Sequence, residues 1–191
     1  DIFGLKPNWV QQFNQELKNI QLSISYYIQS RADLLLKEDT IDVLAESGLE
    51  EVWIGAESGS QKILDAMDKG TKVEQIYTAT HLLKEKKVRI AFFIQFGYLT
   101  ETKEDIDKTI AMIEELVPDN IGVSISYPLP GTKFYDKVKD DLQLKANWTD
   151  SDDLDMMFKG TYSSAYYKKE EQTEPKASNE DNPLAILSET I

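Results

Sequence analysis

Val52-Trp53-Ile54-Gly55-Ala56-Glu57-Ser58-Gly59-Ser60 decides the fold. An apolar run ends at a carboxylate, glycine and serines follow at once, and a helical pattern begins. One acidic side chain is thereby placed at the carboxyl end of a buried strand, the edge where parallel α/β proteins keep their sites. Upstream, residues 21–31 (QLSISYYIQSR) are rich in β-branched and aromatic side chains and read as a strand. Residues 37–47 carry Ile41, Leu44 and Ala45 at helical spacing, with Gly48 as a C-cap. The strand over 51–56 is followed by a helix over 60–68, with Ile63, Leu64 and Met67 on one face and Gly70 after it. A second helix covers 73–86. Residues 89–96 (RIAFFIQF) form a strand apolar enough for burial on both faces. A helix over 102–116 opens with a Thr102/Asp105 capping box. The last strand covers 121–127, residues 128–132 (PLPGT) force a turn, and 132–139 look helical.

Strands alternate with helices, so the expected fold class is α/β with about four parallel strands in βαβ units. The loops after the strands carry Arg31, Asp33, Glu57, Ser58, Gln95 and Tyr127, and in a half barrel these would line the site. After about residue 147 the character changes to an acidic run, Asp150-Ser151-Asp152-Asp153, a tyrosine-bearing segment, and an almost wholly polar stretch over 168–182. The expected division is a partial barrel over 1–147 and a C-terminal extension over 148–191, partly helical, polar, and mobile from about 168.

Of 191 residues 34 are acidic and 21 basic, giving a net charge of −13. That charge argues against nucleic acid and anionic membrane as partners. There is no apolar run of about 18 residues and no signal-peptide pattern, so the default location is cytoplasmic. The chain has no cysteine, which excludes disulfides, thiolate catalysis and cysteine-bound metal within it. Its one histidine, His81, lies in a helical pattern and reads as a surface or boundary residue. Asn147-Trp148-Thr149 matches a glycosylation sequon that a cytoplasmic protein would not use.

From spacing alone Glu57 is either a helix-capping charge or a ligand-binding one. Arg31 with Asp33 reads first as a local ion pair, and Lys69 as a cation suited to a helix C-terminus. The turn after Tyr127 reads first as purely structural.

In order, Arg31-x-Asp33 after a strand, GAESGSQKILDAMDKGT, a buried strand ending in a glycine loop, and YPLPGT resemble the second half of a radical S-adenosylmethionine enzyme. The likeness covers about residues 1–167 and is to the subgroup with an N-terminal cobalamin-binding domain, including ester cyclase-like and methyltransferase-like proteins. It implies a partial (β/α) barrel lacking the first strands of the (β/α)6 half-barrel, with the cluster-binding cysteine loop and cobalamin domain upstream of Asp1. It implies that Glu57 bonds the ribose hydroxyls of S-adenosylmethionine, that Lys69 pairs with its methionyl carboxylate, and that Asp1 is near the amine position. Tyr127 would lie by adenine or substrate, with Ser58 and Gln95 also on the cofactor side. Arg31 and Asp33 would face the substrate or brace the mouth. The 4Fe–4S cluster and cobalamin belong to full-length relatives only, and no residue here is expected to be catalytic or to bind a metal. Where relatives carry a Pro-Gly-Glu-like loop, this chain has Gly97-Tyr98-Leu99-Thr100-Glu101, a turn less pre-set by its residues.

The expected function is therefore a non-catalytic part of such an enzyme that keeps part of the S-adenosylmethionine pocket, with a small-molecule substrate in the full-length relative. Two other readings stand beside it: a non-enzymatic remnant or interaction module, forming a homodimer through an exposed strand edge, and an unrelated (β/α) small-molecule binding domain.

Overall fold

The computed structural model describes residue 3, residues 6–142 and residues 156–172. Asp1, the sequon, the acidic run and the tail past residue 172 lie outside these.

Helix α1 (Trp9–Asn19) precedes the first strand and has no counterpart in the sequence reading. Its buried face is Val10, Asn14 and Leu17, so only two apolar positions mark it. Asn14 is satisfied by Glu46, to which its Nδ2 donates at 2.7 Å. Strand β1 (Tyr26–Ser30) is shorter than expected. Gln21 has φ 53°, and Ile20 and Leu22 are exposed, so the preceding segment turns before it can join the sheet. A single turn, α2 (Ala32–Leu35), and α3 (Thr40–Glu46) follow. Gly48 ends α3 with φ 100°, and a Cβ there would stand 2.0 Å from the Ile24 carbonyl oxygen, so only glycine fits.

Next come β2 (Leu49–Glu57), α4 (Gln61–Ala66), α5 (Val73–Glu85), β3 (Arg89–Phe96), α6 (Lys103–Leu116) and β4 (Asn120–Ile125). The sheet order is β1-β2-β3-β4, parallel throughout. All four expected strands and their alternation with helices are present, and the chain forms a partial (β/α) barrel.

One sheet face is buried under the helices by Ile28, Val52, Ile54, Ile90, Phe92, Ile94, Ile121 and Ile125. The other, concave, face is only half-buried. β3 was expected to be covered on both faces, yet Phe93 and Gln95 remain partly exposed, because no helix among the described residues lies on the concave side. At the amino end each strand adds to a floor. Arg89 lies over the Tyr27 ring at 5.7 Å and 3.6 Å from Glu51, which also takes a 2.8 Å bond from Trp53 Nε1 and a 3.5 Å bond from Asn120. Trp53 and Phe93 pack above it as a tilted pair, ring centres 4.7 Å apart, and Gly122 leaves room for both.

Helix α7 (Lys133–Val138) opens at Thr132, whose hydroxyl accepts from the Tyr135 N–H. Leu142 then bridges to Phe158, and Met156 lies against Gly97 at the end of β3. Helix α8 (Ser164–Gln172) returns beside it, with the Tyr167 ring 6.3 Å from Phe96. The helix continues to Gln172.

Candidate functional site

Glu57 is the last residue of β2, and the β2–β3 register slips between Gly55 and Glu57. Its backbone is left-handed at φ 60°, unusual for a residue with a Cβ. The Ser58 N–H closes the turn by donating to the Ala56 carbonyl at 2.7 Å. This conformation lays the carboxylate back over the concave face, where a Cβ on Gly55 would sit 3.2 Å from Oε1. Oε1 accepts from Lys69 Nζ at 2.6 Å. The side chains are 15% and 40% exposed, so the pair is reachable from solvent.

Lys69 is aimed by the way α4 stops. Asp68 is left-handed at φ 58°, its N–H bonds the Asp65 carbonyl, and the Lys69 N–H bonds the Leu64 carbonyl at 3.2 Å. That is a Schellman ending with Asp68 in the position glycine usually takes, two residues earlier than the Gly70 the sequence suggested. Arg31 follows β1 and grips Asp33 through Nε at 2.8 Å and Nη2 at 3.3 Å. Its Nη2 is 3.6 Å from where a Gly70 Cβ would stand, so Arg31 packs against the Lys69–Gly70 turn. The carboxyl ends of β1 and β2 thus bring together two acid–base pairs.

The other candidates lie apart. Ser58 is fully buried and its hydroxyl meets Thr109 Oγ1 at 3.1 Å and the Ser60 N–H, so it supports the turn instead of facing a ligand. Gln95 is on the concave face of β3, in register with Ser124. Tyr127 lies past β4, two strands from Glu57, and is 39% exposed. His81 is exposed on α5, as a surface residue should be.

Sequence reasoning missed the support beneath the turn. Asp105 was visible only as a capping residue. It is buried and accepts from Ser60 Oγ at 2.7 Å, Lys62 Nζ at 2.6 Å, and the Thr102 N–H and hydroxyl at 2.9 and 2.7 Å. Burial pushes its carboxyl up, but these donors outweigh that and hold it well below the usual carboxylate range. Glu101 is fully buried and takes the Gly97 N–H at 2.6 Å. Burial raises its pKa to about 7, against the lowering effect of the Gly97 bond. This side chain, with the Glu101 N–H on the Tyr98 carbonyl at 3.1 Å, fixes the loop that the missing Pro-Gly pair left less pre-set.

Chemically, the mouth offers a carboxylate able to accept from hydroxyls or an amine, beside two cations able to pair with a carboxylate. That donor set, with a glycine under the carboxylate, fits S-adenosylmethionine. It does not fit an iron–sulfur cluster: the chain has no cysteine, and the described residues hold no cluster of three His, Cys, Asp or Glu side chains suited to a metal. No helix among the described residues is long and apolar enough to cross a membrane.

The sequence pattern of the Radical SAM superfamily matches residues 6–113. This chain belongs to the Radical SAM superfamily. Among similar proteins, an uncharacterized methyltransferase of Pyrococcus horikoshii is 27% identical over 160 residues, covering 83% of this chain and 35% of the relative. The anaerobic magnesium-protoporphyrin IX monomethyl ester cyclase of Rubrivivax gelatinosus is 27% identical over 134 residues, 70% of this chain and 24% of the cyclase. The radical S-adenosylmethionine methyltransferase TsrM of Kitasatospora setae, solved with cobalamin and a 4Fe–4S cluster, shares the fold, with a TM-score of 0.59 at 18% identity over 70% of this chain and 27% of its own. The chain therefore spans about a third or less of the length of the curated relatives named here. The reading as an unrelated binding domain falls with the superfamily match.

Proposed function

We propose that this chain is the S-adenosylmethionine-holding part of a radical SAM barrel and does no radical chemistry by itself. The observation that carries the reading is the left-handed Glu57 at the end of β2, with Lys69 at 2.6 Å. Glu57 would accept from the ribose hydroxyls, and Lys69, released from Glu57, would take the methionyl carboxylate. Arg31 and Asp33 would hold the polar end of the ligand beside them, and Gln95 would face it from the concave wall. Beside a reduced cluster, S-adenosylmethionine supplies radical or methyl-transfer chemistry. The cysteines that chemistry needs are not in this chain. The whole protein would act on a small molecule, a reading supported by the name of the cyclase relative.

Calorimetric titration with S-adenosylmethionine tests this. Glu57→Gln and Lys69→Gln should each weaken binding about tenfold or more, or about 1.4 kcal/mol. Unchanged heats in both variants would sink the assignment. The chain alone, given dithionite, should yield no 5′-deoxyadenosine by chromatography.

A second reading concerns association. β4 is paired on one side only among the described residues, and Tyr127 and Leu129 beyond it are 39% and 40% exposed. Two copies pairing through this edge would form a dimer. Sedimentation that gives a monomer throughout the micromolar range refutes it.

A further inference from the structure

We infer that Thr109 and Asp105, one turn apart on α6, are positioning residues for the Glu57 carboxylate. The inference rests on the cofactor reading of Glu57. A left-handed non-glycine residue costs free energy and persists only where its surroundings over-determine it. Here the surroundings are on α6. Thr109 is fully buried and its hydroxyl meets both residues that follow Glu57: Ser58 Oγ at 3.1 Å and the Gly59 N–H at 3.0 Å. Gly59 lies directly on the helix backbone, since a Cβ there would stand 2.4 Å from the Lys108 carbonyl oxygen. The Ser60 N–H bonds Ser58 Oγ at 3.1 Å, and Ser60 Oγ is held by Asp105 at 2.7 Å. Three successive residues after Glu57 are thus tied to one helix face.

Neither α6 residue faces the concave side, so neither would touch the ligand. Their effect passes through the turn. If these ties are cut, the strain at Glu57 can relax, its carboxylate leaves the surface over Gly55, and Lys69 loses its alignment. The hydroxyl of Thr109 is the part that matters. Thr109→Ser keeps it, and Thr109→Val keeps the shape without it.

The test combines binding with a ligand-free readout. Thr109→Val should weaken S-adenosylmethionine binding by about tenfold, Thr109→Ser by no more than about twofold, and Thr109→Val should add little in a Glu57→Gln background, because the two act as one unit. In the ligand-free protein, Thr109→Val should speed hydrogen exchange at the Ser58 amide, which closes the Glu57 turn, and Thr109→Ser should not. If Glu57→Gln weakens binding but Thr109→Val does not, or if their losses multiply, the positioning role is overturned while the cofactor reading stands. If Glu57→Gln leaves binding unchanged, the cofactor reading fails and the role in binding with it. Unchanged Ser58 exchange in Thr109→Val refutes the positioning outright, whatever the ligand does. Should Thr109→Val fail to fold, Ser60→Ala cuts the link to Asp105 and takes its place in each comparison.

Discussion

Gly59→Ala puts the contact between β2 and α6 under direct load. An alanine Cβ at this position would lie 2.4 Å from the Lys108 carbonyl oxygen, and 2.8 Å from both the Lys108 carbonyl carbon and Thr109 Cα. All three are backbone atoms of a fourteen-residue helix, so no side chain can swing aside. Relief requires the turn and helix to part by ~1 Å to reach ordinary contact. Overpacking of this kind costs about 1–3 kcal/mol. The same movement stretches the 3.0 Å Gly59 and 3.1 Å Ser58 bonds to Thr109 past useful length. Each contributes a net ~1 kcal/mol, and the buried hydroxyl is left without them. The sum is about 3–5 kcal/mol, a large part of the 5–15 kcal/mol that holds a typical domain together. Urea unfolding followed by circular dichroism gives the measurement, with the midpoint lowered and the slope unchanged. A thermal melt should fall by about 6–20 °C for a chain of this size. A midpoint within ~0.5 kcal/mol of the parent would mean that Gly59 is not pressed on α6.

Other outcomes follow from the buried acids and the floor. Glu101 has its pKa raised from 4.5 to about 7, with Gly97, Asp105, Lys62 and Tyr167 around it. A carboxyl raised in the folded state favours folding below its unfolded pKa and loses that advantage as pH climbs to the folded one, so this residue should remove on the order of 3 kcal/mol between about pH 4.5 and 7. Glu101→Gln, still able to accept from Gly97, should flatten the slope in that window, measured by urea unfolding at several pH values. An unchanged slope would show that Glu101 is ionised without penalty. Asp105, lowered in the folded state, acts with the opposite sign at more acid pH, where its protonation removes stability. Gly122→Ala would bring a Cβ to 3.1 Å from the Trp53 ring and 3.4 Å from Phe93. Because both are side chains, the rings should tilt, costing about 1 kcal/mol and shifting the Trp53 fluorescence. An unaltered emission spectrum counts against the packing of that layer.

The strands and most helices were legible because their periods are local. β3 matches its expected span, and Gly48 and Thr102 mark boundaries by their own chemistry. Glu57 and Lys69 were legible as a strand end and a helix end, and twelve residues of turn and helix bring them together. What escaped notice depends on distant contacts. Ser58 meets Thr109 across 51 positions and Ser60 meets Asp105 across 45, separations that no periodic pattern records. Helix α1 escaped because Asn14, a polar residue satisfied by Glu46, occupies its buried face. Asp68 as a left-handed helix ending escaped because glycine was available two residues on and was the better guess from composition.

The left-handed backbone at Glu57 sets stability against function at one residue. Glycine would adopt φ 60° without steric penalty, relieving about 1–2 kcal/mol at that backbone. The ion pair it would forfeit is partly open to water and contributes ~1 kcal/mol or less. Selection for thermal robustness alone should therefore drift towards glycine at position 57. A carboxylate at that backbone position is what the proposed cofactor role would require in spite of that pull.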